Sequence, residues 1–302
     1  MTVKQPYVGR FAPSPTGPLH YGSLYTALAS FLQARSQQGL WLLRIDDLDT
    51  PRNIIGSADN IFKTLEKFGL HWDKQVYYQS RYLDTYHEIL DKLIKDKLVY
   101  PCTCSRKTVT DIYSGACRDK QIPTNRPYAL RIKTDNRNIS FEDELQGLVS
   151  QNLVEQHGDF ILKRKDQIIA YQFAVVIDDD RQCINHVVRG YDLLDSTPRQ
   201  IYLQQILGLI TPIYMHVPVI IDEQGYKLSK QTRATAVDLE SPHEVIFEML
   251  TLLRQAPPSE LKLATLSELL DWAIRHWDPG ALKKLRAICR PDERRPKQTN
   301  QD

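Results

Sequence analysis

The sequence has no apolar run long enough to cross a membrane, and its first residues lack the pattern of a signal peptide. Membrane insertion and secretion are therefore not expected, and the default location is cytoplasmic. An excess of one charge is also missing, because 39 lysines and arginines face 37 aspartates and glutamates, for a formal net charge of +2. A nearly neutral chain neither requires nor excludes a nucleic-acid partner, since that depends on how the charges are distributed.

Cysteine is scarce as well. Five cysteines in 302 residues do not make the disulfide framework of a secreted protein. Cys102, Cys104 and Cys117 nevertheless lie close together, and in a reducing compartment such a cluster favours a zinc knuckle over a disulfide. No histidine lies between them, so the fourth zinc ligand must be of another kind, with Tyr113 and Asp111 as candidates. The alternative is a group of buried reduced thiols without a metal.

The first 45 residues have the pattern of a strand–helix–strand unit. A short apolar strand at 8–11 is followed by a proline-rich loop and then by apolar residues at helical spacing from Leu24 to Leu32. Gly39 is expected to end this helix, and residues 40–45 have the composition of a buried parallel strand. The predicted fold class is therefore α/β, with a Rossmann-type parallel sheet. Ligands bind such sheets at the carboxyl ends of the strands, where this loop lies.

Two short motifs, far apart in the sequence, could bind an anion. His20 and Gly22 lie where the loop enters the helix, so backbone N–H groups and the positive helix end face the loop. Lys227, Ser229 and Lys230 follow a strand-like segment and a turn, and lysines in such a loop could hold phosphate oxygens. Either motif alone is more often structural, as an ordinary helix start or a solvated basic loop.

Together, in this order and separation, the motifs resemble the HIGH and KMSKS elements of the class I aminoacyl-tRNA synthetases, here HYGS at 20–23 and KLSKQ at 227–231. The segment RFAPSPTG at 10–17 is similar to the glutamyl branch of that class. The resemblance implies an ATP site that also takes Mg²⁺, in which His20 and Lys230 serve catalysis. The implied ATP-binding residues are His20, Gly22, Ser23, Lys227, Ser229 and Lys230.

The same resemblance implies a pocket for L-glutamate. Arg10 and Arg189 are the candidates for its two carboxylates, because a guanidinium group matches a carboxylate in two-point contact. Which arginine binds which carboxylate stays open. Asp46 stands where the family has a glutamate that contacts the substrate ammonium, and it is one methylene shorter. The implied glutamate-binding residues are Arg10, Phe11, Ala12, Pro13, Ser14, Asp46, Tyr171 and Arg189.

Two features favour one family within the glutamyl branch. The cysteine cluster resembles that of the glutamyl-Q tRNA(Asp) synthetases, which implies Cys102, Cys104, Tyr113 and Cys117 as ligands of one structural zinc. Roughly seventy residues follow the KLSKQ segment, which is short for a stem region and an anticodon-reading domain together.

The implied reaction is the ATP-dependent activation of glutamate as an adenylate and its transfer to the queuosine base in the anticodon of tRNA(Asp). No obligate protein partner is expected. The alternatives are a short glutamyl-tRNA synthetase that charges a 3′ end, and a non-catalytic synthetase-like module that binds tRNA or regulates another enzyme. The intact His20, Gly22 and Lys230 argue against the module.

The order of these signals also predicts a domain organisation. Its segments are the first half of the catalytic domain at 1–100, the zinc knuckle and connective insert at 101–170, the second half with the lysine loop at 171–235, a small helical appendage at 236–290 and a disordered tail at 291–302. The appendage is predicted to contain helices at about 242–253, 258–276 and 279–289, and no strand. Ser57 and Thr197 are predicted to cap the helices that follow them.

Overall fold

The structure, a computed structural model, describes residues 5–105, 109, 112–122, 125–226 and 240–290. Its strands are β1 (Val8–Phe11), β2 (Leu40–Ile45), β3 (Asp73–Tyr78), β4 (Val99–Cys102), β5 (Ala129–Ile132), β6 (Asn138–Asp143), β7 (Gly147–Asn152), β8 (Ile161–Lys163), β9 (His186–Gly190), β10 (Ile213–Val217), β11 (Val219–Ile221) and β12 (Ala287–Cys289). Its α-helices are α1 (Tyr21–Ser36), α2 (Ser57–Lys67), α3 (Leu83–Lys95), α4 (Leu153–Gln156), α5 (Tyr171–Arg181), α6 (Thr197–Leu207), α7 (Pro242–Leu252) and α8 (Leu266–Arg275). Short 3-10 helices lie at Thr50–Arg52, Gln79–Tyr82, Tyr191–Ser196, Ser259–Leu263 and Pro279–Leu282.

The predicted strand–helix–strand unit is confirmed. Strands β1 and β2 pair in parallel and are joined by α1, and β2 pairs in parallel with β3. Helix α1 ends at Ser36, and Gly39 lies in the turn before β2. A Cβ atom at Gly39 would lie 2.6 Å from the main-chain oxygen of Tyr7, so only glycine lets the chain re-enter the sheet this closely.

A second sheet has the strand order β7-β6-β10-β9. Strand β10 is parallel to β9 and to β6, and β7 pairs antiparallel with β6. The two sheets adjoin where Asn185, just before β9, meets β1: its Oδ1 accepts the N–H of Val8 at 2.8 Å and its Nδ2 donates to the Pro6 carbonyl at 2.8 Å. The parallel strands β3, β2, β1, β9 and β10 thus follow one another with their carboxyl ends on one side.

Helices cover both faces of this arrangement. One buried apolar cluster contains side chains of α1, α2, α7 and α8, and another contains side chains of α3, α5 and α6. A separate antiparallel sheet, β4-β5-β8, carries Cys102 at the end of β4. Within the described part of the chain, no helix combines the length and apolar character needed to cross a membrane.

The helix predicted at 279–289 is wrong, because that segment is a 3-10 turn followed by strand β12, which pairs in parallel with β11. Lys284 has a φ of 62°, which interrupts any helix there. The pairing with β11 therefore outweighs the local preference. Arg290, directly after β12, donates to Glu248 of α7 and lies 3.8 Å from the ring centroid of Tyr21, so this strand is tied to α7 and to the start of α1.

The two predicted helix caps are also wrong. Gly56 precedes α2 at a φ of 77°, and the Ser57 hydroxyl instead donates to the Gly17 carbonyl at 2.8 Å and accepts the Gly17 N–H at 2.9 Å. Thr197 is the first residue of α6, and its hydroxyl accepts a hydrogen bond from Arg189 at 2.7 Å. The Ser57 hydroxyl therefore holds the loop between β1 and α1, and the Thr197 hydroxyl holds the side chain of Arg189 on β9, contacts that local sequence does not signal.

Candidate active site

A cavity of about 540 Å³ opens at the carboxyl ends of β1, β2 and β9. This volume is within the range of small-molecule sites. Among the predicted site residues, those that line it are Arg10, Phe11, Ala12, Pro13, Ser14, His20, Gly22, Ser23, Asp46, Tyr171 and Arg189. Lys227, Ser229 and Lys230 lie outside the described residues, as does the predicted tail at 291–302.

The loop between β1 and α1 is fixed by its backbone. The Pro13 carbonyl accepts the N–H of Asp46 at 3.0 Å, and the Pro15 carbonyl accepts the N–H of Ile54 at 2.9 Å. Gly17 adopts a φ of 126°, a conformation that side-chain-bearing residues rarely take, and it is held by Ser57. The cavity wall is therefore preformed by contacts with the segment that follows β2.

His20 is the N-cap residue of α1. Its Nδ1 accepts the backbone N–H of Ser23 at 3.3 Å, so in the neutral ring Nε2 carries the proton and donates to the Ser23 hydroxyl at 3.0 Å. The imidazole is thus held against the first turn of α1, at the positive end of the helix. An anion in the cavity would meet the imidazole, the Ser23 hydroxyl and the N-terminal end of α1 together.

A buried chain of charges lies behind the cavity. Asp179 of α5 accepts from Arg10 at 3.1 Å and from Arg44 at 2.6 Å. Arg44 also donates through Nε to Asp46 at 2.7 Å. Arg10 and Arg44 therefore already have carboxylate partners. The Nη2 of Arg44 is buried without a hydrogen-bond partner among the described residues. This nitrogen can therefore still donate a hydrogen bond.

Asp46 is buried beside Arg44 at the end of β2. Burial raises the pKa of its carboxyl to about 6, although the charge and the hydrogen bond of Arg44 act in the opposite direction. Asp46 therefore changes its charge near pH 6. The carboxylate form, which a substrate ammonium would need, predominates above that pH.

Arg189 differs from the other two buried arginines of the cavity wall in its neighbours. Its side chain is 4% exposed, and its Nε and Nη2 donate to His216 at 3.0 Å and to Thr197 at 2.7 Å. Its Nη1 has a long contact of 3.4 Å to the Tyr171 hydroxyl. These partners carry no negative charge, and no ion pair of Arg189 occurs among the described residues. Arg189 is thus a buried cation at the cavity wall with neutral hydrogen-bond partners and no ion pair within the described residues, so an anion in the cavity could pair with it.

Sequence reasoning missed several residues of this region. Arg44 lies on β2, two residues before Asp46, which directly follows the strand; the alternation of an extended chain puts both on one face, so Arg44 could have been found. Asp179, Thr197 and His216 belong to later elements, and only the folded chain brings them to the arginines.

The predicted metal ligands also come together. The Sγ atoms of Cys102, Cys104 and Cys117 lie within 4.8 Å of one another. The Tyr113 hydroxyl lies 3.3 Å from the sulfur of Cys102 and 3.8 Å from that of Cys104. Spacings of this size are those of ligands around one small ion, so the cluster could hold a metal. Asp111, the other candidate for fourth ligand, lies outside the described residues.

Arg131 supports this cluster. Its guanidinium lies 3.9 Å from the centroid of the Tyr113 ring. Burial disfavours ionisation of the Cys102 thiol, but hydrogen bonds from Tyr113 and the Cys104 backbone, together with Arg131, outweigh it and lower the pKa to about 7. The surroundings of Cys102 thus favour thiolate, the form that binds metal, whereas burial and the neighbouring thiols raise the pKa of Cys104.

Comparisons with known proteins identify the family of this chain. The family described as tRNA synthetases class I (E and Q), catalytic domain, matches residues 7–121 and 116–272. The glutamyl-Q tRNA(Asp) synthetase of Dechloromonas aromatica (strain RCB) is 45% identical over 300 residues, which cover 96% of this chain and all of that protein. The glutamyl-Q tRNA(Asp) synthetase of Methylococcus capsulatus (strain ATCC 33009 / NCIMB 11132 / Bath) is 48% identical over 287 residues, covering 94% of this chain and 95% of that protein.

A solved structure is similar as well. The glutamate tRNA ligase from Elizabethkingia meningosepticum CCUG26117, in complex with its amino acid, superposes with a TM-score of 0.78 at 25% identity. The match covers 94% of this chain and 67% of that one. By the extent of these matches, the chain belongs to the class I tRNA synthetases for glutamate and glutamine, and within them to the family of the glutamyl-Q tRNA(Asp) synthetases.

Proposed function

We propose that this protein activates glutamate with ATP and transfers it to the queuosine base in the anticodon of tRNA(Asp). The observation that carries the proposal is Arg189, a buried cation that lines the cavity and has only neutral partners among the described residues. A carboxylate that enters the cavity supplies the missing counter-charge, and the guanidinium group can hold it by charge-assisted hydrogen bonds. The names of the relatives support glutamate as the amino acid and tRNA(Asp) as the acceptor.

The proposed glutamate pocket uses the charges of the cavity wall. Arg189 and the hydroxyl of Tyr171 bind one carboxylate, Arg10 assists with the other, and Asp46 pairs with the ammonium group. Phe11, Ala12, Pro13 and Ser14 form the wall between them. Glutamine would place an NH₂ group against the N–H donors of an arginine, and the unpaired donors would cost it affinity.

ATP is proposed to bind at the start of α1. His20, Gly22 and Ser23 line this end of the cavity, where the helix favours negative charge. Lys227, Ser229 and Lys230 are proposed to hold the triphosphate from the other side, and Mg²⁺ accompanies the nucleotide. An oxygen of the glutamate α-carboxylate attacks the α-phosphorus, and the bond to pyrophosphate breaks. Such a transfer depends on positioning and on neutralised charge.

In the second step, a hydroxyl of the queuosine cyclopentene diol attacks the carbonyl carbon of the adenylate. An ester forms, AMP leaves with the bonding electrons, and the hydroxyl proton is released. A single-stranded anticodon loop suits this reaction, because its bases can splay out into a protein cavity.

The cysteine cluster is proposed to hold one structural zinc ion through Cys102, Cys104, Tyr113 and Cys117. Three sulfurs and a phenolic oxygen that face one point form a suitable four-ligand set. Bound zinc would fix the segment that follows β4, which carries no regular secondary structure between Thr103 and Ser105.

The first test is ATP–pyrophosphate exchange with purified protein in the absence of tRNA. We expect exchange with glutamate and none above background with glutamine or aspartate. Arg189→Gln should raise the KM for glutamate by about a hundredfold, because a charged partner of the substrate is lost. Arg137→Gln, which removes an exposed arginine paired with Asp135, is the matched control and should leave the KM unchanged. Normal glutamate KM in Arg189→Gln would contradict the assignment.

A further inference from the structure

Asp143, His216 and Arg189 form a buried line of hydrogen bonds behind the cavity. His216 of β10 is fully buried, and its Nδ1 lies 2.6 Å from Oδ2 of Asp143 at the end of β6. Its Nε2 lies 3.0 Å from Nε of Arg189. The parallel pairing of β10 with both β6 and β9 brings the three side chains together.

The donors in this line fix the proton on the imidazole. The guanidinium of Arg189 can only donate, so Nε2 of His216 must present its lone pair to it; the Thr197 hydroxyl, which can donate or accept, lies 3.1 Å from the same nitrogen. The proton then lies on Nδ1 and is donated to Asp143. Oδ1 of Asp143 accepts the backbone N–H groups of Leu145, Gln146 and His216, which holds the carboxylate in place.

We propose that Asp143 and His216 are positioning residues that orient Arg189 for its substrate carboxylate, an inference that rests on the proposed function. His216 holds Nε of Arg189, and Thr197 holds Nη2 at 2.7 Å. The guanidinium plane is thereby fixed, and Nη1 is directed toward Tyr171 on the cavity wall. A fixed donor loses less freedom on binding than a mobile one, so its affinity for a carboxylate is higher.

The surroundings keep His216 neutral. Burial lowers its pKa to about 4; the hydrogen bond to Asp143 opposes this shift, and the positive charge of Arg189 adds to it. The other charged or titratable neighbours are Tyr214 on its own strand, whose ring is stacked on the imidazole, and Asp192 after β9. Protonation of Nε2 would set a donor against the donor of Arg189, so the neutral ring is the form that works.

Asp143→Asn is the decisive variant. Its amide oxygen still accepts the three backbone N–H groups, so its NH₂ group faces Nδ1 and donates to it. The imidazole proton must then move to Nε2, where it opposes the N–H of Arg189. We expect the KM for glutamate in pyrophosphate exchange to rise by roughly tenfold to a hundredfold, with the KM for ATP nearly unchanged. Asp73→Asn, which alters an arginine-paired aspartate away from the cavity, is the control and should change neither value.

The tautomer is measured directly by ¹⁵N NMR of histidine-labelled protein. Wild-type His216 should carry its proton on Nδ1, and Asp143→Asn should carry it on Nε2. A wild-type proton on Nε2 would overturn the proposal, as would a flipped tautomer in Asp143→Asn with a wild-type KM for glutamate. Absence of glutamate-dependent exchange in the wild type would instead overturn the proposed function itself.

A second pair of variants keeps the proposal testable if Asp143→Asn does not fold. His216→Gln retains an acceptor near the position of Nε2 and should keep a low KM for glutamate. His216→Asn retains a donor near Nδ1 for Asp143 but has no acceptor for Arg189, so its KM should rise. A purely structural role would change both variants alike, and equal KM values in the two would overturn the positioning role.

Discussion

At the scale of single residues, the three buried arginines of the cavity wall show how neighbours decide a role. Arg10 and Arg44 share Asp179, and Arg44 also pairs with Asp46, so their charges are compensated within the protein. Arg189 has neutral partners. Because a buried charge without a counter-charge is costly, Arg189 is expected to gain the most from a bound carboxylate.

Asp46 carries a prediction about pH. With its pKa raised to about 6 by burial, Asp46 is neutral below that pH and cannot pair with the substrate ammonium. We therefore expect kcat/KM for glutamate activation to rise with pH and to level off above an apparent pKa near 6. The apparent pKa seen in kcat should be lower than the one seen in kcat/KM, since a bound ammonium group favours the carboxylate form of Asp46. Exchange rates measured from pH 5 to 8 provide the check.

The stability of the protein should change in the opposite sense. A folded-state pKa above the ordinary value means that protonated Asp46 favours the folded state, so this contribution is present at low pH and is lost as pH rises through about 6. Asp46→Asn should remove this dependence and most of the glutamate activation. Asp135→Asn, at an exposed position, is the control. An unchanged acid limb in Asp46→Asn would show that another group titrates.

How much of the site could be predicted depends on where its partners lie in the chain. Arg10, Asp46 and His20 belong to local motifs, so the sequence predicts them, and the structure places all three on the cavity wall. The contacts of Arg189 with His216 and of Arg10 with Asp179 join residues 27 and 169 positions apart, so no local pattern announces them. Sequence therefore predicts the cavity wall, while the hydrogen-bond partners behind it require the fold.

At the scale of elements, the cysteine cluster predicts a metal content. We expect about one zinc per chain in the purified protein, the usual content of one four-ligand knuckle. Cys117→Ser should lower it strongly, and Tyr113→Phe should lower it less, because water can take the place of the phenolic oxygen. Cys289→Ser, at an exposed cysteine outside the cluster, should leave the content unchanged. Metal-free wild-type protein of normal stability would contradict the zinc proposal.

The junction of the two sheets carries a further prediction. The Asn185 side chain links β9 to Val8 and Pro6 beside β1, and these strands carry Arg189 and Arg10. Asn185→Ala should lower the free energy of unfolding by about 1–3 kcal/mol, because backbone groups lose their partner. Asn136→Ala, at an exposed position, should change it by less than about 0.5 kcal/mol. Denaturant titration distinguishes the two, and equal values would show that the junction does not depend on Asn185.

The elements also show where sequence reasoning failed. The strand–helix–strand unit was predictable because its period and its turn signals agree. Strand β12 was not predictable, because a strand of three residues is too short to give a periodic signal. It also follows a 3-10 turn whose sequence resembles the start of a helix. Its position depends on pairing and on the contacts of Arg290 with Glu248 and Tyr21, which are tertiary.

At the scale of the whole molecule, the cavity draws on segments spread along most of the chain. The first loop, the end of β2, the start of α5 and the end of β9 all reach the carboxyl ends of the parallel strands. This placement follows from the α/β architecture, in which ligands bind at that edge. The chemistry of activation is thus supported by the cavity, while the identity of the acceptor is the central claim that needs a measurement of its own.

That measurement locates the glutamate on the tRNA. Radiolabelled glutamate, ATP and the protein are incubated with queuosine-containing tRNA(Asp) from which the terminal adenosine has been removed, and the label is mapped by nuclease digestion. The account predicts that label enters the anticodon-loop fragment, and that queuosine-free tRNA(Asp) accepts none. Label on the 3′ end of intact tRNA(Glu), with none on queuosine-containing tRNA(Asp), would contradict it and indicate an ordinary glutamyl-tRNA synthetase.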